Sequence, residues 1–303
     1  MSPVEEPDPL WESPIVLAAT PIGNLSDSTD RLKQLISSAE VIACEDTRRT
    51  RHLIQALGLA TGARLVSLHE HNEASRAAEL VEQAREGARI LVVSDAGAPA
   101  VSDPGFRLIS AAIEAGVGIT VAPGASAVTT ALALSGLHTD RFTFAGFLPR
   151  KHSERLRLLD RLRAEEWTTV LFDSPRRIAA TVAELASELG ANRRAAVARE
   201  LTKKFEEVLR GTLGELAEQL AARAETGLKG EFVLVVAGAS PTDATGAASP
   251  TVEDLADLVL QRAAAGERLK TAAKDIGAQH QVPASELYDA AIQRRAGGAW
   301  TAE

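Results

Sequence analysis

The stretch RILVVSDAGAPAVSDPGFRLISAAIEAG, Arg89–Gly116, decides the fold. Its opening apolar run is too short for a helix, rich in β-branched residues and bounded by turn formers, so it predicts a buried strand. Its closing half repeats apolar residues at helical spacing. Asp103 stands where an N-cap would, Pro104 at the first helical position and Gly116 at the stop. Strand, loop and helix in that order form half of a parallel crossover unit. The connecting loop is unusually rich, with Ser-Asp at 94–95 and again at 102–103 among glycines and prolines. Ligands of parallel sheets bind beyond the carboxyl ends of the strands, which is where this loop falls.

Outward from there, IVLAA (15–19), EVIAC (40–44), RLVSL (64–68) and GITVAP (118–123) read as further buried strands, with helical stretches such as DRLKQLISSA between them. They predict a parallel sheet covered on both faces. PGASAVTTALALSGL (123–137) begins another helix. A second set of elements follows: FTFAGF, a basic helix from about Ser153, TTVLFDSP, a helix from Pro175, AAVARELTKKFEEVLRG, a helix from Thr212 and GEFVLVVAG. Thr212 and Glu215 have capping-box spacing. This half predicts a second α/β layer with a mixed sheet. The expected organisation is a disordered tail at 1–13, an N-terminal α/β domain at 14–124, a second α/β domain at 125–238, a flexible linker at 239–250 and a helical, helix-turn-helix-like module at 251–303.

Hydrophobic residues make up 45% and charged residues 24% of the 303-residue chain, an ordinary globular balance. A net charge of −8 argues against a broadly sticky nucleic-acid binder but leaves local basic segments: RRTR (48–51), PRKHSERLR (149–157), PRR (175–177) and Lys203–Lys204. Cys44 is the only cysteine, which excludes an internal disulfide or a cysteine metal cluster. The acidic, proline-rich start is unlike a signal peptide, and no apolar run approaches the roughly 20 residues of a membrane span. These features predict a cytoplasmic protein.

Unusual residues cluster at four strand ends: TPIGNLSD (20–27), EDTRRT (45–50), SDAGAPAVSDPG (94–105) and PGASA (123–127). None is G-x-G-x-x-G or a lysine-bearing phosphate loop, so a conventional dinucleotide or nucleoside-triphosphate site is disfavoured. Their small residues suit a ligand approached by backbone. Asp95 could accept from a ribose or an amine, or cap a turn; Ser126 could meet an anion, or cap a helix. HEHNE (69–73) lacks zinc-helix spacing, so no metal is expected; His69 and His71 read as cleft-lining or capping residues. No G-x-S-x-G elbow marks a hydrolase nucleophile.

The ordered set TPIGNLSD, EDTRRTRHL, SDAGAPAVSDPG, PGASA, SGL, FLPRK, DSPRR, RELTKKFEE and GEFVLVV resembles the 16S ribosomal RNA cytidine 2′-O-methyltransferase family, ribosomal RNA small subunit methyltransferase I. That family belongs to the tetrapyrrole-methylase superfamily. The resemblance spans about residues 14–240. Ala98 stands where the family often has threonine, and Asp173 and Arg176 where it often has glutamate and histidine. The resemblance implies a tetrapyrrole-methylase-like (class III) α/β fold, with two α/β domains, a cofactor cleft between them and a small C-terminal helical module. It implies S-adenosyl-L-methionine as cofactor, held by Pro21, Ile22, Asp95, Ala96, Gly97, Ala98, Ser126, Ala127, Phe172, Ala198 and Gly230. It also implies a homodimer and a cytidine substrate in the decoding region of 16S rRNA within the small ribosomal subunit.

Methyl transfer to a ribose hydroxyl is an in-line displacement helped by a general base or by cationic stabilisation. Glu45, Asp46 and Glu200 stand as alternative bases; Arg48, Arg199 and Lys203 stand as groups that stabilise the alkoxide or bind phosphate. Arg49, Arg150, Lys151, Arg176 and Lys204 join Arg48 and Arg199 as expected RNA contacts. Two other readings of the sequence are a corrin- or porphyrin-precursor methyltransferase and a non-catalytic RNA-binding assembly factor on the same fold.

Overall fold

The computed structural model describes residues 10–69, 71–225, 227–239, 252–264, 267–280 and 282–296. The chain divides into two compact units, the first reaching to Gly238 and the second holding the C-terminal helices.

The first unit contains two sheets. Strands β1 (Ile15–Ala18), β2 (Val41–Cys44), β3 (Arg64–Ser67), β4 (Ile90–Val93) and β5 (Ile119–Ala122) run parallel in the order β3-β2-β4-β1-β5. Every residue of β1, β2 and β4 is buried, as central strands covered on both faces must be. Successive side chains point to opposite faces, which splits these strands between two cores. Ile15, Leu17, Ile90 and Val92 meet Leu80 of helix α3 (Glu73–Arg85) and Leu108 of α4 (Phe106–Glu114). Val16, Ile42, Leu91 and Val93 meet Leu32, Leu35 and Ile36 of α1 (Asp30–Ser38) and Ile54 of α2 (Thr47–Ala56). Leu10 and Trp11 pack against this second core, and the Trp11 indole donates to Ser38 Oγ at 2.9 Å. Of the expected tail, therefore, residues 10 and 11 belong to the fold, and 1–9 lie outside the described residues.

The second sheet holds β6 (Phe142–Phe147), β7 (Thr168–Asp173), β8 (Arg194–Arg199), β9 (Glu207–Thr212) and β10 (Phe232–Val236) in the order β6-β7-β10-β8-β9. Only β6 and β7 pair in parallel, so the sheet is mixed, as the sequence predicts. Helix α5 (Ala127–Ser135) covers one face through Val128, Ala131 and Leu132. The other face packs on α6 (His152–Ala164), α7 (Ile178–Leu189) and α8 (Leu213–Ala224). The Thr212–Glu215 capping box is present, with both of its hydrogen bonds. RELTKKFEE is the β8–β9 turn.

Two helix starts differ from expectation. α7 begins at Ile178, three residues after Pro175. α4 begins at Phe106 with Gly105 as its N-cap, so Asp103 and Pro104 precede the helix. The free amides of Gly105 and Arg107 both donate to Glu73 Oε1, at 2.8 Å each. A buried carboxylate from α3 thus does the capping that local spacing assigned to Asp103.

In the second unit, α9 (Val252–Ala264), α10 (Leu269–His280) and α11 (Ala284–Ala296) share a core of Leu255, Val259, Ile276 and Leu287. Arg294 Nε donates to Asp257 at 2.7 Å. The expected linker lies outside the described residues beyond Ala239. Among the described residues, no helix is long and apolar enough to cross a membrane.

Candidate active site

The parallel strands of the first sheet end at one edge, and there the chain closes on itself. Thr20 and Gly97 exchange backbone hydrogen bonds of 2.9 and 3.1 Å. The Thr20 hydroxyl donates to the Ser94 carbonyl at 3.2 Å, and the Ser94 hydroxyl to the Gly97 carbonyl at 2.8 Å. Gly97 adopts φ +83°, and a Cβ there would lie 3.3 Å from Ile22 Cγ2. The backbone conformation favours glycine here, and a Cβ would press on Ile22. In the second sheet, Phe232 at the start of β10 pairs with Asp173 and Arg199 at the ends of β7 and β8.

A cleft of about 240 Å³ runs between these edges. Ile22, Ala96–Ala98, Val101–Asp103 and Ser126–Val128 form one wall; Phe147, Phe172, Asp173 and Glu231–Val233 form the other. Phe172 meets Phe144 and Phe147 edge-on, with ring centroids 4.9 and 5.7 Å away. Ser126 is the N-cap of α5, makes no side-chain cap and lines the cleft with Ala127 and Val128 of the first helical turn. Asp173 Oδ1 accepts from the Ser174 amide at 2.8 Å, whereas Oδ2 is buried with no hydrogen-bond partner.

Beside the cleft lies a more open, charged cavity of about 650 Å³. Glu45, Asp46, Arg48, Arg49, Ser67, His69 and Asp95 line it, and it shares Ala96 and Asp103 with the cleft. Asp46 caps α2 through the Arg48 amide at 2.8 Å, and the Arg48 guanidinium holds its carboxyl below the ordinary range. Asp95 accepts from the Asp46 amide and pairs with Arg49 Nη1, both at 3.2 Å. Burial, then the charge of Asp95, pushes the Glu45 carboxyl up. Asp103 is pushed up to about 6, chiefly by burial and then by Glu45 and Asp95, with the Ser94 hydroxyl opposing.

Residues 14–217 match the model of the tetrapyrrole (corrin/porphyrin) methylases. The chain is 46% identical over 282 residues to ribosomal RNA small subunit methyltransferase I of Mycobacterium tuberculosis, covering 93% of this chain and 95% of that one. The counterpart from Synechocystis is 40% identical, with 94% and 99% covered. The chain belongs to this family. It is an S-adenosylmethionine-dependent methyltransferase. Among solved structures, a cobalt precorrin-4 methyltransferase superposes with a TM-score of 0.54 at 18% identity, covering 74% of this chain and 95% of that one. A uroporphyrin-III C-methyltransferase complexed with S-adenosylhomocysteine gives 0.50 at 17%, covering 74% and 96%. At these identities the likeness concerns the fold.

Of the cofactor residues that family resemblance suggested, Ile22, Ala96, Gly97, Ala98, Ser126, Ala127 and Phe172 line the cleft. Pro21, Asp95, Ala198 and Gly230 do not. Asp95 faces the charged cavity. Ala198 is buried in the core beneath α5. Gly230 backs Glu200, where a Cβ would approach Glu200 Cγ to 2.5 Å. Among the candidate catalytic groups, Glu45 and Asp46 stand in the charged cavity, whereas Glu200 and Lys203 are bound to each other. Lys203 Nζ lies 2.9 Å from both Glu200 Oε1 and Glu231 Oε2. Lys203 holds the Glu200 carboxyl down; burial pulls Lys203 down, but its two carboxylate partners outweigh that and raise it.

The basic residues gather near the same sheet edges, in the first turn of α2, at the end of β8 and in the loops between. Arg48 and Arg49 rim the charged cavity. Arg150 and Lys151 are exposed between β6 and α6, Arg176 between β7 and α7, and Lys204 in the β8–β9 turn, 5.6 Å from the Phe205 ring. Arg199 donates Nε to the Lys229 carbonyl at 2.7 Å. His69 lines the charged cavity, with its ring centroid 6.1 Å from that of His71. Among the described residues, no group of three or more His, Cys, Asp or Glu could hold a metal ion.

Sequence reasoning missed Asp103, Phe147, Asp173 and Glu231 as cleft residues. The doubled Ser-Asp was the available signal for Asp103; Asp173 and Glu231 stood inside quoted motifs without a role.

Proposed function

We propose that this protein transfers a methyl group from S-adenosylmethionine to the ribose 2′-oxygen of a cytidine in the decoding region of 16S rRNA, within the small ribosomal subunit. The observation that carries this reading is the 46% identity, over nearly the full length of both chains, to a ribosomal RNA small subunit methyltransferase I. The corrin and porphyrin enzymes share only the fold at 17–22% identity.

The residues of the cleft fit the cofactor. Asp173 Oδ2 is an orphaned acceptor suited to an ammonium or hydroxyl donor. The N-terminal end of α5 at Ser126 and Ala127 suits a carboxylate. Gly97 lets backbone approach closely, and Phe147 and Phe172 supply an apolar wall. The cofactor brings a methyl group already activated by its sulfonium charge. The chain's task is to orient the nucleophile and receive its proton. Arg48 and Arg49, now paired with Asp46 and Asp95, would exchange those partners for RNA phosphates. Arg150, Lys151, Arg176 and Lys204 extend the phosphate contacts, with Arg199 beside them.

The homodimer belongs to the same proposal. Phe106 and Ile113, one α4 face apart by seven residues, are 72% and 67% exposed, which suits an apolar contact with a second copy. A ribosomal substrate places the protein in the cytoplasm. The test is incubation of unmodified small subunits with the protein and methyl-labelled S-adenosylmethionine, followed by mass-spectrometric nucleoside analysis. Label in 2′-O-methylcytidine is expected; label in a base, or in added tetrapyrrole alone, overturns the reading.

A further inference from the structure

We propose that Asp103 is the proton acceptor for the attacking ribose hydroxyl. The inference rests on the methyl-transfer reading above. A proton acceptor must touch the nucleophile at the moment the nucleophile meets the methyl group, so it must stand where the donor cleft opens into the substrate cavity. Among the described residues, only Ala96 and Asp103 line both. Alanine has no proton chemistry, which leaves Asp103.

The other carboxylates are occupied or misplaced. Asp46 caps α2 and binds Arg48. Asp95 binds the Asp46 amide and Arg49. Glu200 is held by Lys203 and the Glu231 amide. Glu45 is exposed and lines only the charged cavity. Among the described residues no ion pair holds Asp103, and the Ser94 hydroxyl beside it also serves the Gly97 carbonyl.

Asp103 is also held in place. Ala100 and Ser102 before it adopt φ of 65° and 61°, and Gly105 after it donates its amide to buried Glu73. Such backbone persists only where its surroundings over-determine it. The groups facing Asp103 are Glu45 and Asp95, which raise its pKa, and Ser94, which lowers it. Asp46, Arg48, Arg49 and His69 complete the charged side, and Asp173 and Glu231 the cleft side. A carboxyl near 6 remains ionised at neutral pH yet takes a proton more readily than an ordinary carboxylate. As the 2′-oxygen forms its bond to the methyl carbon, the methyl–sulfur bond breaks with its electron pair passing to sulfur. The hydroxyl proton passes to Asp103.

The test compares wild type, Asp103→Asn and Glu45→Gln in single-turnover methylation of unmodified small subunits from pH 5 to 9. S-adenosylhomocysteine affinity is measured calorimetrically on each protein. We expect wild type to lose rate below about pH 6, Asp103→Asn to be slower by about a hundredfold or more with that limb abolished, and Glu45→Gln to keep the limb at a lower pH. Cofactor-product affinity within about threefold of wild type shows that the Asp103→Asn variant is folded; carboxyl-carbon NMR titration of wild-type Asp103 gives its pKa directly. An Asp103→Asn rate within fivefold of wild type, a limb that survives the substitution, or an NMR pKa near 4 overturns the proposal. Absence of methyl transfer by wild type, or label outside the ribose, overturns the functional reading itself and the proposal with it.

Discussion

The two cavities that meet at Ala96 and Asp103 are built on different principles. The cleft takes its walls from both sheets, and its surface is backbone, small side chains and two phenylalanines. The charged cavity draws on the first sheet's strand ends and the segments that follow them, and its surface is mostly arginine, carboxylate and histidine. On the proposed reading, a donor that never changes would be matched by fixed shape, and a polyanionic substrate that must arrive and leave by charges that can exchange partners. Variants confined to one cavity should therefore separate cofactor affinity from RNA affinity.

The largest separation is expected from Gly97→Val. A β-branched residue at φ +83°, with Ile22 3.3 Å from its Cβ, should cost about a hundredfold or more in S-adenosylhomocysteine affinity by calorimetry. Small-subunit binding should change little; equal loss of both would merge the two cavities into one cooperative site. The reverse is expected of the double variant Arg48→Ala with Arg49→Ala. RNA affinity should fall by about tenfold, and the slope of its salt dependence by about one to two. Cofactor affinity should stay within about twofold.

At the junction, stability and chemistry oppose each other. A carboxyl raised to about 6 in the folded chain, against 3.8 for the ordinary group, holds its proton more tightly folded than unfolded. Falling pH between about 6 and 4 therefore stabilises the fold through this group, and ionised Asp103 costs stability at neutral pH. Asp103→Asn should gain roughly 1–2 kcal/mol at pH 7.5, measured by denaturant unfolding, and the gain should shrink toward pH 4. A variant less stable than wild type at pH 7.5 would show that the carboxylate supports the fold. The smallest effect is expected from removing residues 251–303. That module carries six Lys or Arg against eight Asp or Glu, so several-fold weaker subunit binding with unchanged cofactor affinity is the expected outcome in a filter-binding assay.

The architecture was legible where burial is periodic. The runs ending at Ala18, Cys44, Val93 and Val236 admit little but buried strands, and Thr212 with Glu215 marks a helix start that the structure keeps. What misled was anything settled at long range. Asp103 has the spacing of a cap, but Glu73 arrives from another helix and leaves it free for the junction. Glu200 has the chemistry of a base, but Lys203 and the Glu231 amide claim it across the sheet edge. Asp95, the most conspicuous residue of the quoted stretch, lines the charged cavity and pairs with Arg49. Strand and cap signals are local; which carboxylate stays unclaimed depends on the whole edge.

The Thr20–Gly97 bridge has a consequence for turnover. A cradle closed by its own backbone bonds is finished before the donor arrives, so little ordering accompanies binding. On the proposed reading, such a cradle meets the nucleoside and amino-acid ends of a ligand, which are the same before and after the methyl group leaves. The spent molecule should thus compete with fresh donor on nearly equal terms, and flux should follow the ratio of the two in the cell rather than the donor concentration alone.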